Sequence, residues 1–306
     1  MSNMTPAQFA EANEGIEAEA RANYLLCAPL EFSRPFRLKV QRIGSVWVTI
    51  IPEADNTDAN RIIGLGLGEP VTEPILDEAV AAFQNTGCNN YSTQICPLVQ
   101  PSRFPEWLAA RGFTPGRNWA KVYRGNEPPP TFTTDLRLER IGKNQADEYA
   151  SVVLSVLGLK AAYRPLVKGI IGEPGWQHYL AFTGEKPVSA AAIYFSGEVA
   201  WLGWASTLQA YRNLGGQSAL LARRIEDGLA LGCKWFVAET VEDTPERPNP
   251  SYKNMLRSGF KLAYLRKNYA HRLPASPIKK LRRTFFIAAY SLRFDCQRLM
   301  QQVKTD

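Results

Sequence analysis

The chain has 306 residues and 45% hydrophobic content, enough for two domains with full cores. Its net charge of +7 is concentrated at one end: from Pro274 onward seven basic residues face two acidic ones, a local +5, so the nearly neutral body offers no compositional case for binding nucleic acid. Five scattered cysteines (Cys27, Cys88, Cys96, Cys233, Cys296) without a Cys-x-x-Cys pair favour reduced thiols in a cytoplasm, and two histidines, His178 and His271, exclude a multi-histidine metal site.

The opening residues, MSNMTPAQFAEANEGIEAEA, are polar and acidic, unlike a secretory signal, and no run approaches membrane-spanning length. Asn60 to Leu67 reads as a strand that leads through Gly68-Glu-Pro-Val-Thr-Glu-Pro74 into a helix from Ile75 to Phe83. Gly64-x-Gly66-x-Gly68 lacks the strand-to-helix context of a dinucleotide turn and reads as small residues within that strand. Trp107 to Phe113 matches Met255 to Phe260 at its Gly-Phe end with an offset of 147, and Gly87-Cys88 matches Gly232-Cys233 at 145, a pattern of diverged internal repetition. Pro128-Pro129-Pro130 opens a linker, which divides the chain into 1–127, the linker 128–133, a second unit 134–273 and a tail 274–306.

In the second unit, Leu136 to Ile141 reads as a strand, Gln145 to Leu157 and Ala162 to Ile171 as helices, and Tyr179 to Thr183 with Val188 to Phe195 as a hairpin turning at Gly184-Glu185-Lys186-Pro187. Val199 to Ala205 is an apolar strand, and Leu221, Ile225 and Leu229 mark one face of a helix that Gly232 stops. Between strand and helix lies Arg212-Asn213-Leu214-Gly215-Gly216-Gln217-Ser218. A helix start presents unpaired N–H groups and partial positive charge, so this turn is suited to an anionic phosphate. It lacks the lysine of a nucleoside-triphosphatase loop and the spacing of a dinucleotide turn, and a plain glycine turn is the competing reading. Lys234 to Glu239 is a third apolar strand, and NPSYKNMLRSGF forms a short helix ending at Phe260 before a strand from Lys261 to Tyr269.

Arg212-x-x-Gly215-x-Gln217 resembles the acetyl-coenzyme A motif Arg/Gln-x-x-Gly-x-Gly/Ala of the GNAT-type N-acetyltransferases, and Asn249 to Phe260 resembles that family's helix closing on Gly-Phe. The resemblance runs from about Thr134 to Arg272. It implies an α/β (α+β) fold with a mixed central sheet flanked by helices, in two diverged copies. It further implies acetyl-coenzyme A as acyl donor, no metal, and direct attack of an unidentified amine on the thioester. The family's frequent acid, a tyrosine four residues before the glycine of Gly-Phe, is replaced by Met255, which has no proton to give. In the first copy two prolines and two glutamates occupy the matching turn, which removes donors and repels phosphate.

On this resemblance the cofactor contacts are Thr207, Arg212, Asn213, Leu214, Gly215, Gly216, Gln217, Ser218, Asn249, Ser251 and Asn254. The Gln217 side chain is expected to offer phosphate an extra donor, and Asn249, Ser251 and Asn254 either bond the cofactor or cap their helix. Glu239, at a strand end, is the candidate base, and Tyr252, three residues before Met255 on one helix face, the candidate acid; a solvated carboxylate and a packed tyrosine are the alternatives. Trp176, Trp201 and Trp204 either line an acceptor pocket or belong to the core. A catalytically inactive acyl-coenzyme A sensor or scaffold is the alternative function.

In the tail, Leu281, Phe285, Ala288, Leu292, Leu299 and Val303 recur at helical spacings, predicting a basic amphipathic helix. Phe286, Ile287, Tyr290 and Phe294 widen its apolar face, which favours packing on the body or on a second subunit in a homodimer over a lipid surface.

Overall fold

A computed structural model describes residues 5–54, 56–273 and 281–292. It begins with a helix, α1 (Pro6–Leu26), started by a capping box in which Thr5 and Gln8 satisfy each other's backbone N–H groups. After the single turn α2 (Leu30–Ser33) come a hairpin, β1 (Lys39–Ile43) and β2 (Val46–Ile50), then β3 (Arg61–Ile63), α3 (Glu73–Gln84), β4 (Asn90–Ile95), α4 (Phe104–Ala110), β5 (Phe113–Pro115) and β6 (Trp119–Arg124). β7 (Arg137–Ile141), α5 (Ala146–Leu157) and α6 (Arg164–Gly169) open the second half. There the same series returns: hairpin β8 (Trp176–Thr183) and β9 (Lys186–Ser196), then β10 (Val199–Thr207), α7 (Gly216–Ala230), β11 (Trp235–Val241), α8 (Pro250–Arg257) and β12 (Lys261–Arg272). Residues 281–292 form α9.

The strands make one mixed sheet ordered β1-β2-β3-β4-β12-β6-β11-β10-β9-β8-β7, with β5 joined to β12. Its two halves are sewn together by exchange. β12 pairs through Lys261 to Arg266 with β6, then continues and pairs through Lys267 to Arg272 with β4, while β5 lies along Tyr269 to His271. Conversely β6, the last strand before the linker, pairs with β11 from Phe236 to Val241 and so lies inside the second half's sheet. β6 is hydrogen-bonded on both sides, to β11 and to β12, and β12 is bonded on both sides from Tyr269 to His271, between β4 and β5, so the junction is a continuous ladder.

Each half has its own core. In the first, Leu76, Ala79, Val80 and Phe83 recur at helical spacing along α3 and are buried against Val46, Val48, Ile62 and Tyr91; a large apolar side chain so buried is worth about 2 kcal/mol. In the second, Leu220, Leu221 and Ile225 of α7 pack on Ala191, Ile193, Leu202 and Phe236. α1 lies across the second half's sheet, where Ile16 and Ala20 join Trp176, Tyr194 and Val237.

Two sequence readings are corrected. The strand read from Asn60 to Leu67 ends at Ile63, because Gly64, Gly66 and Gly68 all take positive φ, outside the β region, and Gly66 lies so close to Val99 that a Cβ would meet it at 2.4 Å. The helix read over Ala162 to Ile171 reduces to a 3₁₀ turn and the short α6. In α9 the apolar stripe is inverted: Phe286, Ile287 and Tyr290 pack against the body, whereas Leu281, Phe285 and Leu292 face outward. Phe294, Cys296, Leu299 and Val303 lie outside the described residues. No described helix is long and apolar enough to cross a membrane.

Candidate functional site

β10 and β11 run parallel and are paired only from Val199–Trp235 to Trp201–Val237. Beyond that point β11 stays with β6 while β10 follows β9, so a wedge opens between them. The register of β10 on β9 shifts between Gly203 and Ser206, a bulge that sets Trp204, at φ 58°, and Ala205 against the single residue Ala191. α7 supports this irregularity from behind. Arg224, buried, donates to the carbonyls of Ala192 and Gly203 at 3.0 and 3.3 Å, and Gln217 Nε2 donates to the Ser206 carbonyl at 2.8 Å and to Thr207 Oγ1 at 3.0 Å. The expected extra donor toward phosphate is therefore corrected: the Gln217 amide is turned inward to hold the bulge, which leaves only its backbone N–H for an outside ligand.

The turn into α7 sits at the mouth of the wedge. Gly215, at φ 78°, occupies the left-handed region that glycine adopts without strain, and no side chain caps the helix. Gly216 is glycine for a second reason, since a Cβ there would meet Ser189 Oγ at 2.7 Å. Thr134 anchors the turn by donating to the Leu214 carbonyl at 2.8 Å. Arg212, Asn213 and Leu214 are exposed at the rim. Thr207 Oγ1 and Ser189 Oγ share a 2.9 Å hydrogen bond just below.

α8 closes the other side. Asn249 caps it, accepting from Ser251 N at 3.0 Å and Tyr252 N at 3.4 Å, while its Nδ2 reaches Thr240 Oγ1 at 2.9 Å and ties the helix to β11. Ser251 is exposed. Asn254 Oδ1 accepts from Ser218 Oγ at 2.7 Å, joining the first turn of α7 to α8. Tyr252 and Met255 pack side by side on the second half's core.

Glu239 lies deep in the wedge. Trp201 Nε1 donates to its Oε2 at 2.8 Å across the point where the two strands part, and Lys121 Nζ lies 3.4 Å from the same oxygen. Only 10% of the side chain is exposed, because α1 covers this face. The covering helix adds its own carboxylates: Lys121 contacts Glu17 at 2.6 Å, Arg266 contacts both Glu17 and Glu14 (2.8 Å to Glu14), and Tyr264 donates to Glu14 at 2.7 Å. Burial would raise the Glu17 carboxyl, yet Arg266 and Lys121 hold it well below the usual range. For Glu239 burial wins, reinforced by the Glu17 charge, and its pKa is raised. Burial opposes the charges of Lys121 and Arg266 too, but their carboxylate partners prevail and raise both.

None of Glu14, Glu17, Lys121, Tyr264 and Arg266 was singled out from sequence. Two signals were available: a lone lysine within Trp-Ala-Lys-Val-Tyr, an otherwise apolar strand, and two glutamates three apart on one helical face. The tryptophans resolve toward the core. Trp176 is buried and donates to Asn23 of α1 at 2.8 Å, and Trp201 and Trp204 are half-buried beneath the same helix. Among the described residues no group of three His, Cys, Asp or Glu side chains is placed to hold a metal.

The corresponding place in the first half is a cavity of about 250 Å³ lined by Glu11, Gly66, Gly68, Glu69, Pro70 and Cys96 among others. Glu73, in the first turn of α3, is paired with Arg111 at 2.9 Å. Both helix starts lack a side-chain cap, but α3 carries a carboxylate in its first turn and α7 carries none.

No protein-family model matches the sequence, and no curated protein matches it. Solved structures match its fold. A GCN5-related N-acetyltransferase from Kribbella flavida superposes with a TM-score of 0.59 at 13% identity, covering 86% of this chain and 96% of that one. One from Sphaerobacter thermophilus gives 0.56 at 12% identity over 76% and 78%. A tandem GNAT protein from the clavulanic acid biosynthesis pathway gives 0.54 at 15% identity over 85% and 96%. The chain therefore has the GNAT acetyltransferase fold over most of its length.

Proposed function

We propose that the protein is an N-acyltransferase that moves an acetyl group from acetyl-coenzyme A to an amine at the wedge between β10 and β11. The observation that carries this reading is the uncapped start of α7 beside the parting of the two strands, an anion site adjoining a slot that a thioester arm can enter. Backbone N–H groups of Gly216, Gln217 and Ser218 meet the pyrophosphate, with Arg212 and Asn213 reaching it from the rim. Ser218 and Asn254 hold the α7 and α8 sides of the site in register. The bulge at Trp204 and Ala205 turns N–H groups out of the regular ladder toward the thioester oxygen, where they stabilise the charge that develops as the amine attacks. The thioester C–S bond breaks, coenzyme A leaves as thiolate, and the nitrogen gives up a proton.

An amine with a pKa near about 10 is mostly protonated at neutral pH and needs a base. Glu239 fills that role because its raised pKa brings it toward the working pH. Tyr252 remains the candidate to reprotonate the thiolate, through water. The first half, residues 1–127, contributes α1 and β6 to this site in place of a second coenzyme A site. Four free thiols, at Cys27, Cys88, Cys96 and Cys233, fit a reducing cytoplasm.

One observation favours the other reading, an acyl-coenzyme A sensor or scaffold: Glu239 is nearly covered and already engaged by Trp201 and Lys121. Calorimetry with acetyl-coenzyme A, combined with thiol release across a panel of amines, separates them. Binding with acceptor-dependent thiol release supports transfer; tight binding without release supports the scaffold; absence of binding at millimolar ligand rejects both.

A further inference from the structure

The packed side of α9 accounts for three of its large apolar residues, Phe286, Ile287 and Tyr290. Phe286 and Tyr290 meet Phe36 at ring-centroid distances of 5.4 and 5.5 Å, Ser291 Oγ accepts from Ala162 N at 3.2 Å, and Arg283 is buried nearby. This face sits on a core cluster drawn from both halves, including Phe32, Ile51 and Leu166. The opposite face is apolar as well. Leu281, Phe285 and Leu292 are 57%, 66% and 63% exposed, and Ala288 is exposed with them. At 3.6 residues per turn these four positions fall within an arc of roughly 60°, centred away from the packed face. Arg282 is exposed at the edge of the stripe, and Lys279, Lys280 and Arg293 adjoin the helix in sequence. Subtracting the packed residues thus leaves a narrow apolar stripe edged by Arg282, in a stretch of sequence rich in basic residues, which suits a helix lying in a membrane interface.

We propose that the outward face of α9 docks on an anionic lipid surface, with Leu281, Phe285 and Leu292 entering the headgroup boundary and Arg282 contacting lipid phosphate. Charge selects this occupant over a second copy of the chain. The tail holds +5 of the total +7, so two tails facing each other would bring like charges together, whereas an anionic leaflet neutralises them. The attachment is peripheral, reversible and salt-sensitive, and it is independent of the acyl-transfer reading.

Co-sedimentation of the full chain with vesicles tests it. The chain should pellet with equimolar phosphatidylglycerol and phosphatidylcholine at about 0.1 M salt, be released at about 1 M, and stay in solution with phosphatidylcholine alone. Phe285→Ser should lower partitioning roughly tenfold or more. Since Phe285 is exposed, that variant should keep the native thermal midpoint, which separates lost docking from lost folding. Equal pelleting with both lipids, no pelleting at low salt, or a Phe285-dependent dimer in solution that ignores vesicles would each overturn the proposal.

Discussion

Lys121 Nζ and Glu17 Oε2 lie 2.6 Å apart with side chains 0% and 3% exposed, and Arg266 contacts the same carboxylate. The three residues come from β6, α1 and β12. Two of those strands are the ones the halves exchange, so the charge cluster can form only when the exchange is complete. A buried ion pair is weak evidence for net stabilisation, because desolvation offsets most of the Coulombic gain, but breaking one is costly.

Lys121→Met should therefore destabilise the protein by about 3–5 kcal/mol, since it leaves Glu17 and Glu239 facing Arg266 alone in a covered space. Adding Glu17→Gln should recover part of the loss. Urea unfolding of the single and double variants measures the coupling. Strict additivity of the two losses would mean that the pair does not act as a unit.

Stability should fall on acidification in two stages. His178 is buried between Trp176 and Tyr149, and burial lowers its pKa to about 3, against 6.5 unfolded. Above pH 6.5 neither state is charged; below it the unfolded chain takes up a proton that the folded ring refuses, so stability declines from there toward pH 3. The Glu17 contribution is fully present above its unfolded pKa near 4.5 and is lost as pH falls below that value, because protonation then favours the unfolded chain. His178→Leu should flatten the first decline and leave the second. Denaturant titrations at about pH 7, 5.5, 4.5 and 3 would show it, the first three reading the His178 stage and the last the Glu17 stage.

What the sequence disclosed follows from which interactions are local. The glycine turn, the α7 stripe and the Asn249 cap are set by residues within a few positions of each other, and they are legible as written. The exchange of β6 and β12 is not, because β12 runs on unbroken through Arg266 and nothing in the neighbouring residues says that its partner changes there. The role of α1 was hidden for a related reason. Its glutamates look like solvated charge until Lys121 and Arg266, distant in sequence, are placed beside them. Gln217 misled because its backbone position follows the motif while its side chain serves a bulge invisible in sequence.

At the α7 turn, Gly216→Val should weaken coenzyme A binding by about tenfold or more while the protein remains folded. The added carbons meet Ser189 Oγ and Leu136 and push the helix start outward, misaligning its N–H groups. Gly215→Ala strains a left-handed residue by about 1–2 kcal/mol and should lower both affinity and thermal midpoint. Calorimetry with coenzyme A reads the first and thermal unfolding the second; unchanged affinity in Gly216→Val would move the phosphate site elsewhere.

Glu239→Gln should reduce kcat/KM for acetyl transfer by roughly 10²- to 10⁴-fold with little change in coenzyme A affinity, because the amide keeps the Trp201 contact as an acceptor but takes no proton. The pH profile provides the sharper check. Burial raises the Glu239 carboxyl above its ordinary 4.5, so on the proposed reading the acidic limb of kcat/KM should lie above that value in the unmodified protein and vanish in Glu239→Gln. Glu17→Gln removes the neighbouring negative charge that helps to raise Glu239, and should move the limb to lower pH. A purely structural role for Glu239 predicts lower activity at every pH with the limb unmoved, so the direction of the Glu17→Gln shift decides whether the carboxylate handles the proton or only supports the wedge.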